Sequence, residues 1–258
     1  RTQRRPLRYM KFTPVQAAWM RDRSKEKMAA WPNRAGKTLV AMADAIFRAE
    51  GSHPFRPDVV KPQKGWIVGV SWGQLAEGPM EVMNTLLGDR YEGPKYKPGK
   101  GYGNRNPVLK TPEGGTIGFR SSEQGARRLA GANLDFGILD EPQTSAIYRE
   151  MQKRVQRRDG DLQFLATPIN VPAEGTKWIE DLIRDGSVAF HHVTMRTPGV
   201  YEFKWVLKNG RAVELLRPET MRLPSGRLLD SDWIESVYRK TPAKYRAIVC
   251  DARWRAQG

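Results

Sequence analysis

The sequence predicts an α/β fold: a mainly parallel sheet flanked by helices, with a smaller, less regular subdomain at the C-terminal end. Short apolar runs bounded by turn residues recur at 66–70, 136–139 and 162–166, the pattern of strands buried on both faces. Helical patterns separate them, and strands that alternate with helices build a parallel sheet. Past Pro172 the alternation thins, and Pro218, Pro224 and Pro242 interrupt the chain. The expected division is a core over 1–172 and a lid-like subdomain over 173–258.

Taken in order, residues 1–8 are basic, contain Pro6 and read as an N-terminal arm. Pro14 suits the first turn of a helix that runs on through Met20. Residues 28–31 form a short apolar strand, and a helix over 37–50 ends at Gly51. A Pro-rich stretch over 54–62 precedes the 66–70 strand. A helix over 78–87 follows, with Met80, Val82, Met83, Leu86 and Leu87 as its apolar positions. Residues 93–107 are dense in Gly, Pro, Lys and Asn and read as a loop. Residues 108–110 and 116–119 flank Pro112-Glu113-Gly114-Gly115 as a hairpin. A basic helix over 144–158 separates the 136–139 and 162–166 strands. Beyond them lie an amphipathic helix over 178–183, a strand near 188–195 and a helix near 232–238.

The charge balance narrows the choice of partner. The 258 residues hold 44 Lys+Arg against 28 Asp+Glu, a net charge of +16, which favours a polyanion, nucleic acid ahead of a membrane surface. Cys250 is the sole cysteine, so there is no disulfide framework or thiolate zinc site, and a reducing setting fits. The only histidines are His53, His191 and His192, and the last two, adjacent on a strand, point to opposite faces. No apolar run approaches the length of a membrane span.

The stretch Trp31-Pro32-Asn33-Arg34-Ala35-Gly36-Lys37-Thr38 reads as a phosphate-binding loop feeding a helix. Gly36 lets backbone N–H groups approach a phosphate, Lys37 brings a cation to the β/γ oxygens, and Thr38 offers a hydroxyl to Mg²⁺. It departs from G-x-x-x-x-G-K-[ST] in having Trp31 at the first Gly position. Asp140 and Glu141 leave the 136–139 strand at the edge where ligands bind in open α/β sheets. Asp140 is expected to hold Mg²⁺ through its water shell, and Glu141 to polarise the attacking water. Thr167 ends the next strand, either as a sensor of the γ-phosphate or as a plain strand-to-loop turn. Arg34 lies inside the loop, where a cation stabilises charge in the transferring phosphoryl group. Arg127 and Arg128 stand before the acidic strand, as a finger reaching a neighbouring subunit's nucleotide or as a solvated, DNA-facing surface.

Pro14-Val15-Gln16, residues 32–38, Ile138-Leu139-Asp140-Glu141 and Ala166-Thr167-Pro168 together resemble the large terminase subunit of tailed bacteriophages, a DNA-packaging motor. The resemblance spans roughly residues 9–170. It implies a RecA-like P-loop ATPase core that hydrolyses ATP with Mg²⁺ to translocate double-stranded DNA. By the same resemblance Gln16 matches an adenine-reading glutamine, Arg34 the loop arginine, and Asp140 and Glu141 the metal-binding and catalytic acids. Thr167 matches the coupling motif. In many relatives an Arg-Gly pair precedes the acidic strand; the nearest equivalent here is Ala130-Gly131, so the finger role stays open among Arg34, Arg127 and Arg128, in cis or in trans. The implied partners are the portal and procapsid, a small terminase subunit, and further copies of the chain in a ring. The implied location is the host cytoplasm, docked transiently on the procapsid. Relatives carry a C-terminal nuclease, and this chain ends about where that domain would begin, so it is expected to be the ATPase domain alone. Two rivals remain: a helicase-like DNA-dependent ATPase, and a nucleic-acid-binding module with an inert loop.

Overall fold

The computed structural model describes residues 6–32, 35–87, 106–167, 175–194, 204–208, 211–215 and 239–240. A 3-10 turn at Pro6–Tyr9 leads to helix α1, Pro14–Arg21, which begins on a reciprocal cap. The Thr13 hydroxyl accepts from the Gln16 N–H, and the Gln16 side-chain carbonyl accepts from the Thr13 N–H, satisfying two donors that the first turn would otherwise orphan.

Strands β1 (Glu26–Ala30), β2 (Lys64–Gly69), β3 (Val108–Lys110), β4 (Thr116–Ser121), β5 (Phe136–Asp140), β6 (Asp161–Ala166) and β7 (Ala189–His192) form one sheet in the order β3-β4-β2-β5-β6-β1-β7. Every neighbouring pair is parallel except β3–β4, the expected hairpin. β7 lies on the C-terminal side of the expected division at 172 and pairs with β1, so the core sheet draws its last strand from the 173–258 segment.

Side-chain alternation along these strands feeds two cores. On one face Ala29, Ile67, Ile138 and Leu165 pack against α1, α2 (Lys37–Glu50) and α4 (Glu81–Leu87). On the other, Met28, Val68, Leu139 and Phe164 pack against α5 (Ser145–Gln156) and α6 (Lys177–Arg184). Trp178 stacks on Phe164 with centroids 5.8 Å apart and anchors α6.

The helix expected over 78–87 starts earlier. Ser71 caps α3 (Trp72–Leu75), a π turn spans Ala76–Met80, and α4 follows. Pro79 lies inside the π turn; it has no N–H to donate, and a wider turn accommodates its ring. A two-stranded antiparallel sheet, β8 (Lys204–Lys208) with β9 (Arg211–Leu215), was not anticipated. Most of the loop expected over 93–107 and the helix near 232–238 fall outside the described residues.

A buried polar network ties α2 to the start of β6. Arg48 forms a two-pronged ion pair with Asp161, one contact at 2.6 Å, and Arg56 reaches the same carboxylate at 2.8 Å. Asp44 receives Gln163 at 2.6 Å and meets His53 at 2.8 Å. Buried charges persist only when paired and hydrogen-bonded, and here the pairing joins α2 to β6.

Candidate active site

Three neighbouring strands, β1, β6 and β5, end on one edge of the sheet, and each delivers a motif there. From β1 the chain passes through Trp31 and Pro32, both buried, to Gly36, which starts α2. Gly36 has φ +85°, and a Cβ on it would sit 2.6 Å from Gln16 Nε2. The left-handed backbone favours glycine there, and a side chain would also push the Gln16 amide aside. Gln16 therefore lies against the loop, buried, with its side-chain carbonyl used in the α1 cap.

Trp31, at the departure from the loop pattern, is fully buried. Its indole meets Trp19 edge-to-face at 6.1 Å within the α1–α2 core, while its carbonyl faces the site. The Lys37 ammonium donates to the carbonyls of Trp31 (2.8 Å) and Pro32 (3.3 Å) and to Thr167 Oγ1 (2.7 Å), which uses all three of its donors. Burial pushes the Lys37 pKa down, and the charges of Glu141 and Asp140 oppose that.

Asp140 ends β5, is buried, and accepts from Gln74 Nε2 at 2.8 Å. Burial, then the neighbouring Glu141 charge, pushes its carboxyl up to about 7, against the pull of Lys37 and the hydrogen bonds of Thr38 and Gln74. Glu141 follows with φ +67°, a left-handed backbone that costs a non-glycine residue about 1–2 kcal/mol. Its Oε2 accepts from the Thr167 N–H at 3.5 Å, and burial raises its pKa against the pull of Lys37. Gln143 Nε2 donates to the carbonyls of Asp140 (3.1 Å) and Glu141 (3.3 Å), bracing the turn. Thr167 thus touches both Lys37 and Glu141.

These residues suit a nucleoside triphosphate with a hard divalent cation. The donors near Thr38 and Asp140 are one hydroxyl and one carboxylate, and Mg²⁺ characteristically takes one or two protein oxygens and completes its shell with water and phosphate. Among the described residues no cluster of three or more His, Cys, Asp or Glu side chains forms a self-sufficient metal cage. Arg127 and Arg128 lie on a 3-10 turn, Ala126–Leu129, which packs against α5, and Arg128 is exposed. Asn33 and Arg34 fall outside the described residues.

The sequence reading missed Gln74 and Gln143. For Gln74 a signal existed: Ser71-x-x-Gln74 is a helix-start pattern directly after a buried strand. Gln143 carries no comparable signature.

No protein-family model and no curated protein matches the chain. Solved structures do. The large terminase of a thermophilic bacteriophage aligns with a TM-score of 0.62 at 15% identity, over 95% of this chain and 54% of that one. That same terminase has also been solved in complex with ADP and with ATP-γ-S. The large terminase ATPase domain of Thermus phage P74-26 aligns with a TM-score of 0.51 at 17% identity, over 96% of both chains. The large terminase of bacteriophage HK97 aligns with a TM-score of 0.55 at 13% identity, over 95% of this chain and 51% of that one. The chain spans about half the length of the first and last of these three proteins. It has the mostly parallel, helix-flanked fold of the large terminase ATPase domain.

Proposed function

We propose that the chain is the ATPase motor domain of a phage large terminase, hydrolysing ATP to drive double-stranded DNA into a procapsid. The observation that carries this reading is the meeting of Lys37, Thr167 and Glu141 across three adjacent strand ends, with Thr38 and Asp140 alongside. The ADP and ATP-γ-S complexes of a structurally similar terminase support it, as does the +16 charge.

In this reading residues 31–38 and the N-terminus of α2 hold the phosphates, and Gln16 reads the adenine. Lys37 exchanges one of its present acceptors for a γ-phosphate oxygen. Glu141 accepts a proton from water as the water oxygen bonds to the γ-phosphorus. The bond from that phosphorus to the bridging oxygen breaks, and its electron pair leaves on ADP. Thr38 and Asp140 would hold Mg²⁺, which when bound neutralises phosphate charge. Arg34, Arg127 or Arg128 supplies the remaining cation, from the same chain or from a neighbouring copy in a ring. Thr167, in contact with both Lys37 and Glu141, passes the loss of the γ-phosphate on to the C-terminal part of the chain. The motor would act in the host cytoplasm on the portal of a procapsid, with a small terminase subunit delivering the DNA.

The test is hydrolysis by the assembled protein with duplex DNA. Lys37→Ala is expected to lose turnover by about a hundredfold or more, and Glu141→Gln to retain ATP while losing turnover similarly. Duplex affinity should fall steeply with salt. Full turnover in Lys37→Ala overturns the reading.

A further inference from the structure

The Asp140 carboxylate is held by a residue that belongs to none of the motifs. Gln74 sits in the first turn of α3, beyond the end of β2, the strand next to β5. Its backbone N–H donates to Ser71 Oγ at 3.1 Å. Its side-chain carbonyl accepts from the Val70 N–H at 2.8 Å, and its side-chain amide donates to Asp140 Oδ2 at 2.8 Å. The two ends of the amide are therefore not interchangeable: a backbone N–H requires the oxygen on one side, and a carboxylate requires the NH₂ on the other.

The backbone leaves room for this arrangement. A Cβ on Gly69 would stand 2.7 Å from Gln74 Oε1 and 2.6 Å from Leu75 Cγ, so any side chain at 69 would force the amide or the leucine to move. Gln74 is fixed at its backbone and at both ends of its side chain. It reaches Asp140 from one element, while Thr38, at the start of α2, pulls the pKa of the same carboxyl down from another.

We propose that Gln74 is a positioning residue for the divalent-cation site. It commits one oxygen of Asp140 and thereby sets the plane of the carboxylate toward Thr38 and the phosphates. The inference rests on the ATPase reading above and deepens it. Gln74 touches neither nucleotide nor cation in this role; it acts through Asp140 and ties the start of α3 to the site.

The experiment measures binding of a fluorescent ADP analogue to the full chain, first in EDTA and then as Mg²⁺ is added. In Gln74→Met, which keeps the length and removes both polar ends, affinity in EDTA should stay within about twofold of the parent. The Mg²⁺ concentration at half-effect should rise about tenfold, the scale of one hydrogen bond to a charged group. Gln74→Leu makes the same comparison if the methionine variant does not fold. In an Asp140→Asn background the same change should shift the midpoint by less than about twofold, because interacting residues are not additive. An unmoved midpoint, an equal loss in EDTA, or a full shift in the Asp140→Asn background overturns the role of Gln74 while leaving the ATPase reading in place. A parent chain that binds no analogue under any condition overturns both.

Discussion

Replacing Asp140 with asparagine in the nucleotide-free, Mg²⁺-free protein is expected to stabilise it, by an amount that depends on pH. The carboxyl is raised from 3.8 to about 7, chiefly by burial and then by Glu141. A raised carboxyl means that the fold disfavours its ionised form. Below about pH 4 both folded and unfolded chains hold the proton and the group costs nothing. Through the window from about 4 to 7 the unfolded chain releases the proton first, and stability falls with rising pH. Above about pH 7 the cost is complete. A shift of about 3 units at about 1.4 kcal/mol each sets a ceiling of about 4 kcal/mol. Asparagine keeps an acceptor for Gln74 and carries no charge. Urea denaturation in EDTA should find Asp140→Asn more stable by about 2–4 kcal/mol near pH 8, with the gap closing toward about pH 4. Adding ADP and Mg²⁺ should stabilise the parent, by about 2.7 kcal/mol at a hundredfold excess over Kd, and the variant much less. A variant less stable than its parent near pH 8, or a gap that does not change with pH, refutes the reasoning.

Two further outcomes follow from the same geometry. Trp31→Gly restores the usual first residue of the phosphate loop yet empties a fully buried site against Trp19; it should cost about 3–5 kcal/mol and lower Tm by on the order of 10 °C, and an unchanged Tm would contradict the packing described. Asp22 is held at about 2: burial alone would raise it, but hydrogen bonds from His191 and Ser24 prevail. This stability is present above about pH 4 and is lost as pH falls through about 2. Because Asp22 is partly exposed, Asp22→Asn should cost only about 1 kcal/mol at neutral pH, and denaturation curves for the two proteins should converge in strong acid.

Much of the site was legible because its parts are local. A buried apolar run that stops at Asp140-Glu141, and another that stops at Thr167, place polar groups at a sheet edge whatever the order of the strands. That order was not legible: periodicity says that a strand is buried and does not say that β6 lies between β1 and β5, which is what brings Thr167 within reach of both Lys37 and Glu141. Trp31 looked like an objection because the loop pattern describes backbone. Its side chain turns away into the core with Trp19, a contact made by the packing of α1 that no local pattern encodes. The Gln74–Asp140 bond joins residues 66 apart in sequence, and the helix expected from 78 began too late to include the cap at Ser71. Between β8 and β9 the sequence reads Asn209-Gly210, a strong local hairpin signal that the sequence reading passed over.

The left-handed backbone of Glu141 bears on how this protein would respond to directed evolution. The position already bears a conformational cost that glycine would relieve, and next to it Asp140 carries a charge that the empty fold disfavours. A library screened only for survival of heating would drift toward glycine at 141 and asparagine at 140, gaining thermostability by dismantling the acids. Under the ATPase function proposed above, selection for turnover must hold both residues against that drift. In that reading the end of β5 is where improving durability and preserving activity pull hardest in opposite directions.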